Sequence, residues 1–125
     1  MAAWTDDELE RIHDATELEV STDRPDGSAR PWTIIWHVRH GDTLYIRSAR
    51  GPQNGWFRRA LASGAGRIRA GGVEKEVTFT RADRAVRDAV DAAYHAKYDR
   101  YGPAPVGAVT GPDVLETTLC VTPRG

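Results

Sequence analysis

The sequence predicts an α+β chain, mainly antiparallel β, in which six short strands make a sheet or small barrel with helices packed outside. Three observations lead there. Apolar residues alternate with period two in six segments, those segments fall into adjacent hairpins rather than βαβ units, and only three segments carry helical periodicity. The order is helix, three strands, short helix, two strands, long helix, one strand.

The elements follow from local chemistry. Thr5-Asp6-Asp7-Glu8 has the spacing of a capping box, so a short helix should begin there, with Leu9 and Ile12 as its apolar points. From Glu17 the pattern changes to alternation, with Leu18 and Val20 between polar neighbours, and a first strand is expected. Arg24-Pro25-Asp26-Gly27 supplies a turn, since proline presets one torsion and glycine accepts positive φ. Residues 31–48 read as a hairpin: Trp32 to Val38 is rich in β-branched and aromatic residues, His40-Gly41-Asp42 turns, and Leu44-Tyr45-Ile46-Arg47-Ser48 returns.

The faces of this hairpin can be sorted by parity. A two-residue loop, at His40-Gly41 or Gly41-Asp42, puts Ile34, Trp36 and Val38 on one face with Thr43, Tyr45 and Arg47; a three-residue loop would invert one strand against the other. Both faces are largely apolar, so the hairpin should be central, with core on one side and a helix or partner chain on the other.

Beyond it, the turn-rich run to Gly55 leads into a short helix over 56–62 with Asn54 as its cap, ended by Ser63-Gly64-Ala65-Gly66. Residues 67–70 and 73–80, joined by Gly71-Gly72, make a second hairpin. Val86, Val90, Tyr94, Tyr98 and Tyr101 form a helical stripe over 83–101, with Lys97 lying along it and its ammonium in water. Gly102-Pro103 should end that helix, a loop rich in Gly and Pro should run to Asp113, and Thr117, Leu119 and Val121 mark a last strand.

At 125 residues, 40% hydrophobic and 28% charged, the chain fits one globular domain spanning 1–125, large enough to bury a core without staples. A single cysteine, Cys120, cannot make an internal disulfide and reads as a small core residue. No apolar run is long enough for a membrane-spanning helix, and the acidic N-terminus lacks the pattern of a signal peptide, so a cytoplasmic protein without a membrane partner is expected. A metal site is not expected. His37 and His40 lie three apart on one strand and point to opposite faces, while His13 and His95 sit on separate helices. No dinucleotide or Walker fingerprint is present.

The chemistry-bearing feature is a run of arginines. Residues 43–73 contain Arg47, Arg50, Arg58, Arg59, Arg67 and Arg69 with no lysine and no acid, in a chain of net charge −1. Taking those six from 17 basic residues leaves 11 against 18 acidic ones, so the segregation is strong. Guanidinium forks match phosphate and carboxylate oxygens, and the use of arginine alone suggests shaped anion recognition; the alternative is a solvated face paired with acids elsewhere. Arg47 and Ser48 at a strand end, Gly51 in a turn, and a helix start before Trp56, Arg58 and Arg59 make the candidate anion site. Trp36, Tyr45 and Tyr94 could line a pocket for a flat ring, with His37 as acid or base, although core packing is the commoner fate of such aromatics. Arg67 and Arg69 alternate on a strand and read as a solvated sheet face. At net charge −1 a nucleic-acid partner is disfavoured.

The residues 33–39 (Thr33-Ile34-Ile35-Trp36-His37-Val38-Arg39), Leu44-Tyr45-Ile46-Arg47-Ser48, Trp56-Phe57-Arg58, Gly66-Arg67-Ile68-Arg69-Ala70-Gly71-Gly72 and Ala93-Tyr94-His95-Ala96-Lys97-Tyr98 together resemble an uncharacterised bacterial family of small split-barrel proteins. Within the wider superfamily the chain is similar to the pyridoxamine-phosphate-oxidase-type split barrels and the deazaflavin-dependent nitroreductases. That resemblance implies a six-stranded split β-barrel, a homodimer with the cofactor at the subunit interface, and a small oxidoreductase using FMN or deazaflavin on a small organic molecule. In place of the nitroreductases' Gly-Arg-Lys-Ser-Gly type segment, this chain has Asp23-Arg24-Pro25-Asp26-Gly27-Ser28-Ala29-Arg30. Cofactor-free acid–base condensation or isomerisation of an aromatic molecule in the same pocket, and a non-enzymatic ligand-binding module, are the alternatives.

Overall fold

In the computed structural model, which describes residues 3–49, 51–112 and 114–124, the chain runs α1 (Asp6–Asp14), β1 (Leu18–Thr22), β2 (Thr33–Ile35), β3 (His37–His40), β4 (Thr43–Ile46), α2 (Gly55–Ser63), β5 (Ala65–Ala70), β6 (Val73–Arg81), α3 (Arg87–Tyr98), α4 (Pro103–Gly107) and β7 (Leu119–Pro123). The strands form one antiparallel sheet in the order β2-β1-β5-β6-β7-β4-β3. Its two edge strands, β2 and β3, are consecutive in the chain and separated only by Trp36. One stretch of backbone therefore serves both edges, and the sheet is a nearly closed barrel split at that residue. Here lies the first correction: among the described residues there are seven strands rather than six, because the expected strand over 32–38 changes partner at Trp36, pairing with β1 before it and with β4 after it.

The hairpin parity is as expected. Gly41, with φ of 59°, and Asp42 make a two-residue loop, and His40 pairs with Thr43 and Val38 with Tyr45. Leu44 and Ile46 then face inward with Leu18, Val20, Ile68, Val77, Phe79, Leu119 and Val121, while Val38 and Tyr45 face outward against Val90, Tyr94 and Tyr98 of α3. The hairpin is thus covered on both faces, by the barrel core and by a helix, although β3 lies at the sheet's edge rather than at its centre.

Helix α1 closes one end of the barrel. Its capping box is complete, with Thr5 Oγ1 accepting from Glu8 N–H and Glu8 accepting from Thr5 N–H. Leu9 and Ile12 are buried in the barrel core, and Trp4 Nε1 donates to Val121 O at 2.8 Å. Helix α2 packs Trp56, Phe57 and Ala60 into that same core and ends at Gly64 in the left-handed region, whose N–H donates to Ala60 O.

The C-terminal third departs from expectation. Residues 84–86 form a 3₁₀ turn ahead of α3, and Gly102-Pro103 does not simply stop the helix: Pro103 opens α4. Proline has no N–H to lose at a first helical position, so the same dipeptide that ends one helix can begin another. The expected loop is therefore partly helical, and its end at Asp113 lies outside the described residues. Lys97 also differs. Its ammonium does not sit in water but donates to His37 O at 3.1 Å and lies 5.1 Å from the centre of the Tyr98 ring. Burial lowers the pKa of Lys97 to about 8.

Candidate functional site

The split at Trp36 opens a cleft of about 370 Å³. Thr33, Ile34 and Ile35 of β2 and Trp36 form one wall, Arg47 and Ala49 after β4 another, Asn54 and Trp56 at the start of α2 a third, and Pro105, Ala108 and Val109 from α4 and its exit the fourth. Among the described residues two indoles, one guanidinium and an apolar rim thus converge, with Glu17 the lining carboxylate. One face of the Trp36 ring is stacked on Tyr98, at 4.0 Å between centroids and 8° between planes, which fixes the indole.

Arg47 is wholly buried, and its donors are spent on the protein. Nε donates to Thr118 Oγ1 and Nη1 to Asp91 Oδ1 and Val109 O, while Nη2 donates to Arg87 O, all between 2.8 and 2.9 Å. Of five guanidinium hydrogens, one on Nη2 is left over. The Tyr94 ring lies beneath the group, 5.5 Å from its carbon. A charge taken this far out of water requires such saturation, so Arg47 is a tie between β4, α3 and the segment after α4 before it is a ligand for anything else.

Ser48, Gly51 and Asn54 form a closed circuit that folds the turn from β4 into α2. Ser48 Oγ donates to Gly51 O and accepts from Asn54 Nδ2, which also donates to Ala49 O. Gly51 has φ of 112°, which only glycine adopts readily. Asn54 occupies the cap position of α2 as expected, yet its side chain makes no capping bond, so the first N–H groups of the helix are uncapped by a side chain and its first turn holds no acid.

The other expected site residues are dispersed. Arg58 is exposed, and Arg59 lines a separate depression with Asp23, Pro25 and Arg30. Arg50 lies outside the described residues. Arg67 is exposed as expected, but Arg69 pairs in a two-pronged contact with Glu19 and lies 4.1 Å over the Trp32 ring. Tyr45 and Tyr94 are packing residues between sheet and α3; the Tyr94 hydroxyl donates to Trp36 O, and burial raises its pKa. His37 points into the barrel end, away from the cleft. Its Nε2 meets Ile12 O and lies 3.2 Å from Lys97 Nζ, Nδ1 is buried with no partner among the described residues, and burial, then the Lys97 charge, lower its pKa to about 3. A histidine so enclosed and so acidic cannot trade protons with a ligand near neutral pH.

The sequence groups Trp36, Arg47 and Trp56 but not Pro105, Ala108 and Val109, which fall in its expected loop. The available signal was proline at a first helical turn. A larger cleft of about 550 Å³ lies on the other side of Ile34, but Glu17, Glu19 and Glu74 line it and its one arginine among the described residues is Arg69, already paired. Its charge disfavours an anion. Among the described residues no group of three His, Cys, Asp or Glu is placed to hold a metal ion, and no helix is long and apolar enough to cross a membrane.

Residues 8–121 match the model of a family described as "Uncharacterized protein conserved in bacteria (DUF2255)". No curated protein matches the chain. Solved structures do: a candidate pyridoxamine 5′-phosphate oxidase from Listeria innocua is 10% identical with a TM-score of 0.66, over 96% of this chain and 93% of that one. An F420 reductase is 19% identical with a TM-score of 0.52, over 92% and 90%. An FAD and heme binding protein from Mycobacterium smegmatis is 18% identical with a TM-score of 0.53, over 94% and 65%. At these identities the likeness shows the split-barrel fold.

Proposed function

Because the chain belongs to this bacterial family and is a split barrel, we propose that it binds a flavin-type cofactor, FMN or a deazaflavin, in the Trp36–Trp56 cleft and acts as a small oxidoreductase on an organic substrate. The observation that carries the reading is the split itself, which places two indoles and an apolar rim around a cleft of about 370 Å³. The donor set fits such a group: Trp36, Trp56, Ile35 and Val109 suit a flat ring, and the uncapped start of α2 suits its anionic end. The cofactor would supply the two-electron chemistry, while the chain binds it, orients it and excludes water. Arg47 serves by fixing the cleft wall, with at most its remaining Nη2 hydrogen turned to a ligand. A homodimer with the cleft at its interface belongs to this reading, and Ile34, 60% exposed at the cleft mouth, is the apolar residue such a partner would cover.

The test is titration of FMN and of a deazaflavin into the purified chain, followed by quenching of tryptophan fluorescence. Saturable quenching is expected, and Ala108→Trp, which adds an indole to the cleft wall, should abolish it without lowering the melting temperature. Absence of saturation with either compound at tens of micromolar would overturn the proposal. Arg47→Ala is a poor probe, since it removes a structural tie.

A further inference from the structure

Outside the arginine-rich run, Arg81, Arg84 and Arg87 recur every third residue. That spacing is neither a strand's nor an ordinary helix's. Arg81 ends β6 and residues 84–86 form the 3₁₀ turn, in which side chains three apart eclipse, so Arg84 and Arg87 rise from the same side. Half-buried Val86 and buried Ala82 hold the backbone against the outer core, and Ala82 N–H donates to Thr118 O. All three arginines line one cleft of about 300 Å³.

The cleft has two characters. Phe57, Pro52, Pro112 and Leu115 give it apolar walls, and the three guanidinium groups give it charge. Among the described residues Glu116 is the carboxylate on its lining, and Arg81 Nη1 donates to the Glu116 main-chain oxygen at 3.0 Å. Asp83 is turned away to cap Ala85 N–H. Among the described residues none of the three arginines has a carboxylate oxygen within the 4.0 Å of an ion pair, in contrast to Arg11, Arg47, Arg69 and Arg124. Arg87 Nε is buried without a partner among those residues. A guanidinium fork without a carboxylate partner matches phosphate oxygens in particular.

We propose that this second cleft binds a small phosphorylated molecule, the phosphate among Arg81, Arg84 and Arg87 and the apolar body against Phe57, Pro112 and Leu115. It is distinct from the Trp36–Trp56 cleft and does not rest on the flavin reading. A dianionic phosphate suits a cleft lined by three arginines better than a carboxylate does, and the concave apolar wall suits a small molecule better than a nucleic-acid backbone.

The probes are phenyl phosphate and inorganic phosphate, titrated by calorimetry into the full chain. Phenyl phosphate should saturate at millimolar concentrations or below and bind more tightly than inorganic phosphate. Arg84→Glu should weaken it by about tenfold or more, with Arg84→Gln between. Arg84 is exposed and makes no side-chain hydrogen bond among the described residues, so both variants should keep the parent melting temperature. Ala108→Trp should leave phenyl phosphate binding unchanged, which separates the two clefts. The proposal is overturned if phenyl phosphate does not saturate, if it binds no better than inorganic phosphate, or if Arg84→Glu leaves it intact. It is equally overturned if only an RNA oligonucleotide binds, with steep salt dependence.

Discussion

Acidification should destabilise this protein through His37 before most of its carboxylates are protonated. The ring is fully buried at the barrel end, and burial with the nearby Lys97 charge lowers its pKa from 6.5 to about 3. The sign follows from proton counting. Below pH 6.5 the unfolded chain takes up a proton on this residue and the folded chain does not, so stability falls as pH falls, down to the folded value near 3. Each unit of separation is worth about 1.4 kcal/mol, so the loss between pH 6.5 and 4.5 is on the order of 2–3 kcal/mol. That is a large share of the 5–15 kcal/mol typical of a domain. Urea unfolding over the upper part of this window, above the ordinary glutamate value of 4.5 at which the unfolded chain begins to protonate Glu8 and Glu19, reports mainly the histidines. His37→Gln keeps a side-chain N–H for Ile12 O but cannot titrate, so its stability should be nearly flat over the window. His13, whose pKa is lowered by partial burial, is the control, and His13→Gln should retain most of the slope. The reasoning fails if His37→Gln keeps the parent slope, or if NMR titration finds the His37 midpoint near 6.

Arg47→Met should destabilise by about 3–5 kcal/mol, because Asp91 loses its cation and the carbonyls of Val109 and Arg87 lose their donors; a change below about 1 kcal/mol in urea unfolding would contradict the tie. Gly66→Ala should cost about 1–3 kcal/mol, since its Cβ would lie within 2.2 Å of Ser21 O across the β1–β5 pair; an unchanged urea midpoint would show that the pair can part freely.

Much of the fold was legible because each hairpin carries its own register. The two-residue turn and the alternation from Ile34 to Ile46 fix which residues face the core, and the capping box fixes where α1 starts. Two features were not legible. The exchange of partners at Trp36 depends on where the sheet's edges come to lie, which no local pattern encodes. The start of α4 uses a dipeptide that also ends helices, and that ambiguity hid Pro105, Ala108 and Val109 from the candidate site. Trp36, Arg47 and Trp56 could be grouped because strand end and helix start are close in the chain.

Contiguity of charge proved a weaker guide than the availability of donors. The acid-free run sends its described arginines to different places: Arg47 inside, Arg58 to solvent, Arg59 beside Asp23, and Arg69 onto Glu19 and Trp32. Those with the best geometry for an anion are already matched by the protein. Arg81, Arg84 and Arg87 belong to a stretch that also holds Asp83 and Asp88, so charge counting passes over them, yet a 3₁₀ turn gathers them on one cleft. Arg47 joins the two clefts mechanically: Nη1 holds the carbonyl of Val109 on the wall of one, and Nη2 holds the carbonyl of Arg87 on the wall of the other. A guanidinium can bind both only because its donors point outward from one plane, which lysine could not reproduce. The residue that best resembles an anion ligand in the sequence is therefore, in the fold, the brace on which both candidate sites depend.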